Sequence, residues 1–156
     1  MSLTESSKTM TEWNRQWKVS WDEYASDTYL YGAQIEFISG NDVFYQNELM
    51  PPGTAIKTWY SMVNFQAKRI EPALPIIDGE GSYHISADID CDVEGGIFLR
   101  LVFLGKNGDE AGSLVVEGDE MDFKCPLKTY SYEVQLICAG AHSLHFHSFT
   151  ISERTD

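Results

Sequence analysis

Apolar and polar residues alternate with a period of two along much of this chain, which is typical of β-strands with one buried face. The pattern starts at Trp17, Val19 and Trp21 and is clearest over residues 83–92. One side of that stretch carries Tyr83, Ile85, Ala87, Ile89 and Cys91, and the other side carries His84, Ser86, Asp88, Asp90 and Asp92. The spacing therefore predicts strands rather than helices.

Further strands are predicted from the same signals. They cover residues 29–37, 55–60, 97–104, 114–117, 130–138 and 144–151. Residues 97–104 are apolar on both faces except for Arg100, as expected of a central strand. Asn107 and Gly108 form the dipeptide that most strongly favours a β-hairpin turn.

The last predicted strand changes parity along its length. It carries four large apolar residues, Leu144, Phe146, Phe149 and Ile151. The first two share one parity and the last two share the other, so a regular strand would point half of them into solvent. A β-bulge near Ser148 brings all four to the core face and leaves His145 and His147 outside.

About eight short strands without a convincing long helix predict an all-β fold, a two-sheet antiparallel β-sandwich of the jelly-roll type. The residues expected between the sheets are Tyr83, Ile85, Ile89, Leu99, Leu101, Phe103, Tyr132, Val134, Leu136 and Phe146. We expect residues 13–156 to form this single domain. Residues 1–12 are rich in Ser, Thr, Lys and Glu, and we expect a disordered tail whose first three residues resemble an expression remnant.

Charge and cysteine usage narrow the classes of function. Eleven basic residues against 24 acidic ones give a net charge of −13, which disfavours binding to nucleic acid or to anionic lipid. No apolar run approaches the length of about 18 residues needed to span a bilayer, and the first thirty residues lack a secretory h-region. Three widely spaced cysteines indicate reduced thiols, so we expect a cytoplasmic location. Core parity should shield Cys91 and Cys138 and leave at most Cys125 reactive.

The sequence lacks recognisable catalytic motifs such as a nucleophile elbow, a phosphate-binding glycine loop or a zincin helix. His145 and His147 share a strand face, but spacing alone positions only two ligands, so a solvated pair is favoured over a metal site. Asp88, Asp90 and Asp92 are read as a polar outer face neutralised by Arg100. We therefore predict no catalytic residue, no metal and no cofactor.

Aromatic residues are the enriched class, with four Trp, eight Tyr and eight Phe. Exposed aromatic rings on a β-sandwich can stack on sugars, but aromatic residues also fill cores and line protein interfaces. Composition leaves two hypotheses open at this point: a carbohydrate-binding module that recognises glycans through exposed aromatics, and a protein-interaction module.

Motifs in the first half of the chain favour the second hypothesis. They are Tyr29-Leu30-Tyr31-Gly32, the run from Asn47 to Trp59 (NELMPPGTAIKTW), Asn64-Phe65-Gln66 and Pro72-Ala73-Leu74-Pro75. Together they resemble the third accessory Sec-system protein family of Gram-positive bacteria, the smallest member of a three-protein set. Pro52 stands where the family pattern has a small polar residue, and the match after Leu104 is one of strand pattern only.

This resemblance implies a non-catalytic cytoplasmic subunit with a fold similar to carbohydrate-binding modules. It implies two larger partners, one glycosyltransferase-like and one α/β-hydrolase-like. It further implies a role in the modification and export of serine-rich repeat adhesins, with an accessory SecA-type ATPase and the adhesin client as additional partners. Fold alone does not establish such a function.

The proline-rich motif is the candidate partner interface. Pro51 and Pro52 fix their own φ angles and Gly53 permits a positive one, so the loop should be rigid. An uncharged apolar loop on an acidic protein suits protein docking. The candidate residues are Asn47, Leu49, Met50, Pro51, Gly53 and Trp59. The alternative is that Leu49, Ile56 and Trp59 only bury the loop against the sandwich.

Overall fold

A computed structural model describes residues 13–21, 26–61 and 74–154, and within them the chain forms two antiparallel sheets. The predicted all-β sandwich is confirmed. The strands are β1 (Trp13–Val19), β2 (Ser26–Thr28), β3 (Ala33–Ser39), β4 (Asp42–Asn47), β5 (Ala55–Tyr60), β6 (Ser82–Cys91), β7 (Ile97–Leu104), β8 (Glu110–Val115), β9 (Glu120–Lys124), β10 (Ser131–Cys138) and β11 (Ser143–Arg154). No helix in these ranges is long and apolar enough to cross a membrane. The predicted tail at residues 1–12 lies outside the described residues.

The two sheets have different strand orders. Sheet A has the order β3-β4-β11-β6-β9, and β1 also pairs with β11. Sheet B has the order β2-β5-β10-β7-β8. The long strand β11 organises sheet A, because its first part pairs with β4 and its later part pairs with β1, while β6 runs along its other side.

The core lies between the sheets and contains the residues that the alternation predicts. Of the ten residues named above, all are buried except Ile89, which is half-buried against the cluster. Aromatic rings dominate its centre: the ring centroid of Trp59 lies 5.3 Å from that of Phe146 and 4.9 Å from that of Phe149. Trp21 packs edge-on against Phe146 at 5.6 Å.

Strand β11 contains the predicted bulge. Its register against β6 shifts between Phe146 and Ser148, so His147 is the additional residue. The four apolar residues on either side of the shift, Leu144, Phe146, Phe149 and Ile151, are all buried. His145 and His147 are partly exposed, as the bulge requires.

Several strand predictions need correction. Residues 29–37 were expected to form one strand, but the chain turns at Tyr31 and Gly32 and β3 begins at Ala33. Strands β2, β4 and β9 were not predicted. Strand β2 has three residues, β4 has three apolar residues in succession, and the alternation of β9 extends over only five residues. The hairpin at Asn107 and Gly108 is confirmed: it joins β7 to β8, and Gly108 has a φ of +85°.

Arg100 does not neutralise the aspartates of β6, contrary to the sequence prediction. It lies on β7 in sheet B, whereas the aspartates lie on β6 in sheet A. Its guanidinium is 4.0 Å from the carboxylate of Glu110 instead. The Asp92 carboxylate accepts hydrogen bonds from the backbone N–H groups of His142 and Ser143, and these bonds lower its pKa although partial desolvation opposes them.

Candidate interaction site

Two of the sequence motifs meet at one end of the sandwich. Residues 29–32 precede β3, and residues 47–54 connect β4 to β5. The side chain of Asn47 is fully buried between them. Its Nδ2 donates to the carbonyl oxygen of Tyr31 at 2.7 Å, and its Oδ1 accepts from the backbone N–H of Leu49 at 3.0 Å. A single buried amide therefore ties one motif to the other.

The turn before β3 requires glycine for two reasons. The N–H of Ala33 donates to the carbonyl oxygen of Leu30 at 3.0 Å, which closes the turn, and Gly32 has a φ of +76°. A Cβ atom at Gly32 would also lie 2.9 Å from Oδ1 of Asn47 and 3.1 Å from Cδ1 of Leu49. The two motifs therefore approach each other more closely than any side chain at position 32 would allow.

Tyr45 also stabilises the contact between the two motifs. Its hydroxyl donates to the carbonyl oxygen of Tyr29 at 2.6 Å and lies 3.3 Å from Nδ2 of Asn47. Burial raises the pKa of the Tyr45 phenol, so the group stays protonated and able to donate. The backbone N–H of Asn47 donates to the carbonyl oxygen of His142, which attaches the end of β4 to the loop before β11.

The proline-rich loop is anchored to the other sheet. The N–H of Gly53 donates to the carbonyl oxygen of Cys138 at 2.8 Å, and the N–H of Cys138 donates to that of Thr54 at 2.8 Å. The hydroxyl of Thr54 caps the loop by donating to the carbonyl oxygen of Pro51 at 2.7 Å. Because these bonds fix the end of the loop that enters β5, this part of the loop follows the end of β10 closely.

This framework presents an apolar surface, the apolar tip, which we define as Leu30, Tyr31 and Leu49. Their relative exposures are 66%, 71% and 64%. The three residues lie on neighbouring segments, because Gly32 follows Tyr31 directly and a Cβ built at Gly32 would lie 3.1 Å from Cδ1 of Leu49. Exposed apolar side chains on a hydrogen-bonded support lose little conformational entropy when a partner covers them.

The structure divides the six predicted interface residues into two groups. Leu49, Pro51 and Gly53 are exposed, whereas Asn47, Met50 and Trp59 are buried. The expected surface position of Met50 is wrong, since Met50 is 5% exposed and belongs to the core cluster. The Trp59 indole is fully buried, and its Nε1 donates to the carbonyl oxygen of Ser20.

The alternative was that Leu49, Ile56 and Trp59 only bury the loop against the sandwich. Ile56 and Trp59 are buried, as this alternative requires, but Leu49 is exposed. Leu30 and Tyr31 belong to the motif at residues 29–32 but are not among the predicted interface residues. The exposure of Leu30 and Tyr31 could have been predicted from the sequence, because large apolar residues beside a turn glycine often remain outside the core.

His145 and His147 lie on the outer face of sheet A, and each has a hydrogen-bond acceptor beside its ring. Nδ1 of His145 is 2.9 Å from a carboxylate oxygen of Asp42, and Nδ1 of His147 is 2.8 Å from the carbonyl oxygen of Asn41. This backbone hydrogen bond is the main cause of a raised pKa at His147, to which Asp88 and Asp90 also contribute. Among the residues described, no three or more His, Cys, Asp or Glu side chains are grouped to hold a metal ion.

The cysteines are all free, but their accessibilities differ from the prediction. Cys125 was expected to be the accessible thiol; it is 1% exposed, and burial raises its pKa. Cys91 was expected to be shielded, but it is only half-buried, with its thiol donating to the carbonyl oxygen of Val93. Cys138 is buried as predicted.

Comparison with solved structures defines the class of fold. The chain aligns with the xylanase 10B CBM22-1–GH10 structure of Clostridium thermocellum with a TM-score of 0.55 at 15% identity, over 88% of this chain and 27% of that one. The sandwich is therefore of the carbohydrate-binding-module type. A similarity at 15% identity supports the fold alone.

The family is defined by closer relatives. Residues 28–153 match the family of accessory secretory protein 3 of the accessory Sec secretory system, and the chain belongs to this family. It is 37% identical to the accessory Sec system protein of this family from Streptococcus gordonii over 126 residues, covering 81% of this chain and 79% of the relative. It also matches a chain in the crystal structure of accessory secretory proteins 1, 2 and 3 of Streptococcus pneumoniae. That match has a TM-score of 0.82 and 34% identity, and it covers 88% of this chain and 96% of that one.

Proposed function

We propose that this protein is a non-catalytic cytoplasmic subunit that binds the two larger proteins of the accessory Sec system. In this proposal one partner is glycosyltransferase-like, the other is α/β-hydrolase-like, and the complex assists modification and export of serine-rich repeat adhesins. The accessory SecA-type ATPase and the adhesin are further expected partners. The observation that carries the proposal is the extended match to a chain solved together with accessory secretory proteins of S. pneumoniae.

The apolar tip is the proposed contact surface. It gathers three exposed apolar side chains on a protein whose net charge is −13, so association there is driven by apolar burial rather than by charge attraction. Of the predicted interface residues, Leu49 and Pro51 are exposed, and we expect them to contact a partner. Asn47 and Met50 are buried under the apolar tip, and Asn47 donates a hydrogen bond to the backbone of Tyr31.

The remaining aromatic residues give less support to a free-standing glycan-binding module. Trp21 and Trp59 are buried in the core and unavailable for stacking on sugars. Among the described residues, the aromatic side chains that are largely exposed are Tyr31, Phe37 and Tyr130. The backbone of Tyr31 is bonded to the end of β4 and that of Tyr130 to the end of β7, at opposite ends of the sandwich, whereas Phe37 lies on the edge strand β3. They therefore do not form one aromatic platform.

The test compares two charge substitutions at equally exposed leucines. Leu49→Glu alters the apolar tip, and Leu127→Glu alters the opposite end, where the side chain is 62% exposed. Burial of a leucine contributes about 1.5–3 kcal/mol, so Leu49→Glu should weaken capture of the two larger proteins by about tenfold or more. Both variants should retain the wild-type melting temperature, because neither changes the core.

Capture by Leu49→Glu equal to that by Leu127→Glu would remove the apolar tip from the interface. Failure of the wild-type protein to capture either larger protein would refute the proposed function itself. Binding of the isolated domain to a glycan array, together with that failure, would favour the carbohydrate-binding alternative.

A further inference from the structure

Strand β3 is the terminal strand of sheet A. It pairs with β4 along one side, from Ala33 opposite Asn47 to Ser39 opposite Asp42. Among the described residues, no strand pairs with its other side. An edge of this kind presents unpaired N–H and C=O groups to another chain.

The hydrogen bonds of β4 identify which groups of β3 face outward. The N–H of Asn47 donates to His142, away from β3, so Ala33 and Asn47 form a non-hydrogen-bonded pair. Pairs alternate along an antiparallel ladder, so the backbone groups of Ile35 and Phe37 also point away from β4. They are about 7 Å apart along the strand, which is the repeat that an added antiparallel strand requires.

The two edges of sheet A differ in their protection. The opposite edge is β9, in which Glu120, Asp122 and Lys124 are charged, and such charges discourage pairing with another chain. Strand β3 contains no proline and no lysine, and its only charged residue is Glu36. Phe37 and Ile38 remain 56% and 49% exposed near its end. Apart from Glu36 and the register shift between Phe37 and Ser39, β3 therefore lacks the features that normally keep an edge strand unpaired.

Charge favours a different protein over a second copy at this edge. Two copies would bring together surfaces that each carry a net charge of −13. Antiparallel pairing of β3 with itself about its centre would also place Glu36 opposite Glu36, and like charges directly opposite are destabilising. A segment with Lys or Arg facing Glu36 and apolar residues facing Phe37 satisfies both faces of the strand.

We propose that β3 accepts an extended, basic–apolar segment of one of the larger accessory Sec proteins as an added antiparallel strand of sheet A. This inference rests on the proposed function. Strand β3 begins at Ala33, directly after Tyr31 and Gly32, so one partner can cover the apolar tip and continue along the edge. Main-chain hydrogen bonds supply affinity, and alternate side chains supply selectivity.

The test compares Phe37→Pro with Phe37→Ala in capture of the two larger proteins. Proline removes an outward N–H that β4 does not use, and edge strands tolerate it. Alanine removes the same ring and keeps the N–H. We expect Phe37→Pro to weaken binding by about tenfold or more relative to Phe37→Ala, because a main-chain hydrogen bond and strand contact are both lost.

Hydrogen exchange of the wild-type protein provides a second measurement that needs no variant. The amides of Ile35 and Phe37 should exchange more slowly in the complex than in the free protein. Equal binding by both Phe37 variants, or unchanged exchange at these two amides, would overturn the inference. If Leu49→Glu loses binding while Phe37→Pro does not, only the edge is refuted. A wild-type homodimer that Phe37→Pro dissociates would assign the edge to a second copy instead.

Discussion

Replacing Gly32 with alanine perturbs the contact between the two motifs of the candidate site. The new Cβ would lie 2.9 Å from Oδ1 of Asn47 and 3.1 Å from Cδ1 of Leu49. Leu49 is exposed and can rotate away, but the Asn47 amide is fully buried and held by bonds to Tyr31 and Leu49. Because the amide can move only by losing these hydrogen bonds, the contact with Asn47 decides the cost.

Gly118→Ala is the matched control. Gly118 has a φ of +75° against +76° for Gly32, and no atom lies within 4 Å of a Cβ built there. Both substitutions incur the left-handed penalty of about 1–2 kcal/mol and share the same partial compensation, about 0.4–1 kcal/mol, from a less flexible unfolded chain. The difference between them isolates the overpacking against Asn47, which we expect to cost a further ~1–3 kcal/mol.

Thermal melts of the two variants measure this difference. A domain of this size loses about 2–4 °C of melting temperature per kcal/mol, so Gly32→Ala should melt roughly 2–12 °C below Gly118→Ala. Gly32→Ala should also capture the larger accessory Sec proteins less well, since Tyr31 and Leu49 are displaced. Equal melting temperatures would show that the Asn47 amide moves aside at no cost, and would refute the predicted overpacking at position 32.

Three further predictions concern burial and charge. Met50→Glu should lower the free energy of unfolding by several kcal/mol in urea melts, because it places a carboxylate in the core. Iodoacetamide should modify Cys91 before Cys125 and Cys138, as peptide mass spectrometry can show. The pKa of His147 is raised above its unfolded value near 6.5, so its protonated form stabilises the fold at low pH. That contribution should be fully present below the unfolded pKa and lost as pH rises through the higher folded-state pKa, and it should be absent from the melting curve of His147→Gln.

Each of these predictions has a contrary result. A Met50→Glu protein as stable as wild type would remove Met50 from the core. Labelling of Cys125 ahead of Cys91 would contradict the burial of that thiol. Parallel pH profiles for wild type and His147→Gln would show that the hydrogen bond to Asn41 does not affect stability.

The sandwich could be predicted because period-two alternation is clear over residues 83–92 and 130–138 and has no competing explanation there. The bulge in β11 could also be predicted, since only an extra residue brings Leu144 and Ile151 to the same face. Strand β2 could not be predicted, because a three-residue edge strand gains its conformation from its neighbour rather than from its own sequence. Strand β9 alternates strictly, but its pattern covers only the five residues from Glu120 to Lys124.

The burial of Met50 and Cys125 was not predictable for a different reason. Both residues lie outside regular strands, where alternation gives no rule for which side chain faces inward. Met50 is predicted as an apolar contact beside the rigid Pro51-Pro52-Gly53 loop, and loop residues are usually exposed. The loop that contains Met50 is bonded to Cys138, a contact between segments far apart in sequence that alternation does not reveal.

A motif recognised in a loop therefore mixes two kinds of residue that sequence reasoning treats alike. Asn47 and Gly32 define where the two segments meet, and substitution there acts through the fold. Leu49 and Tyr31 are held outward by that junction, and substitution there should act on binding alone. A loss of partner capture in this segment therefore implies direct contact only when the melting temperature is unchanged. We expect Leu49→Glu to meet that condition and Met50→Glu to fail it.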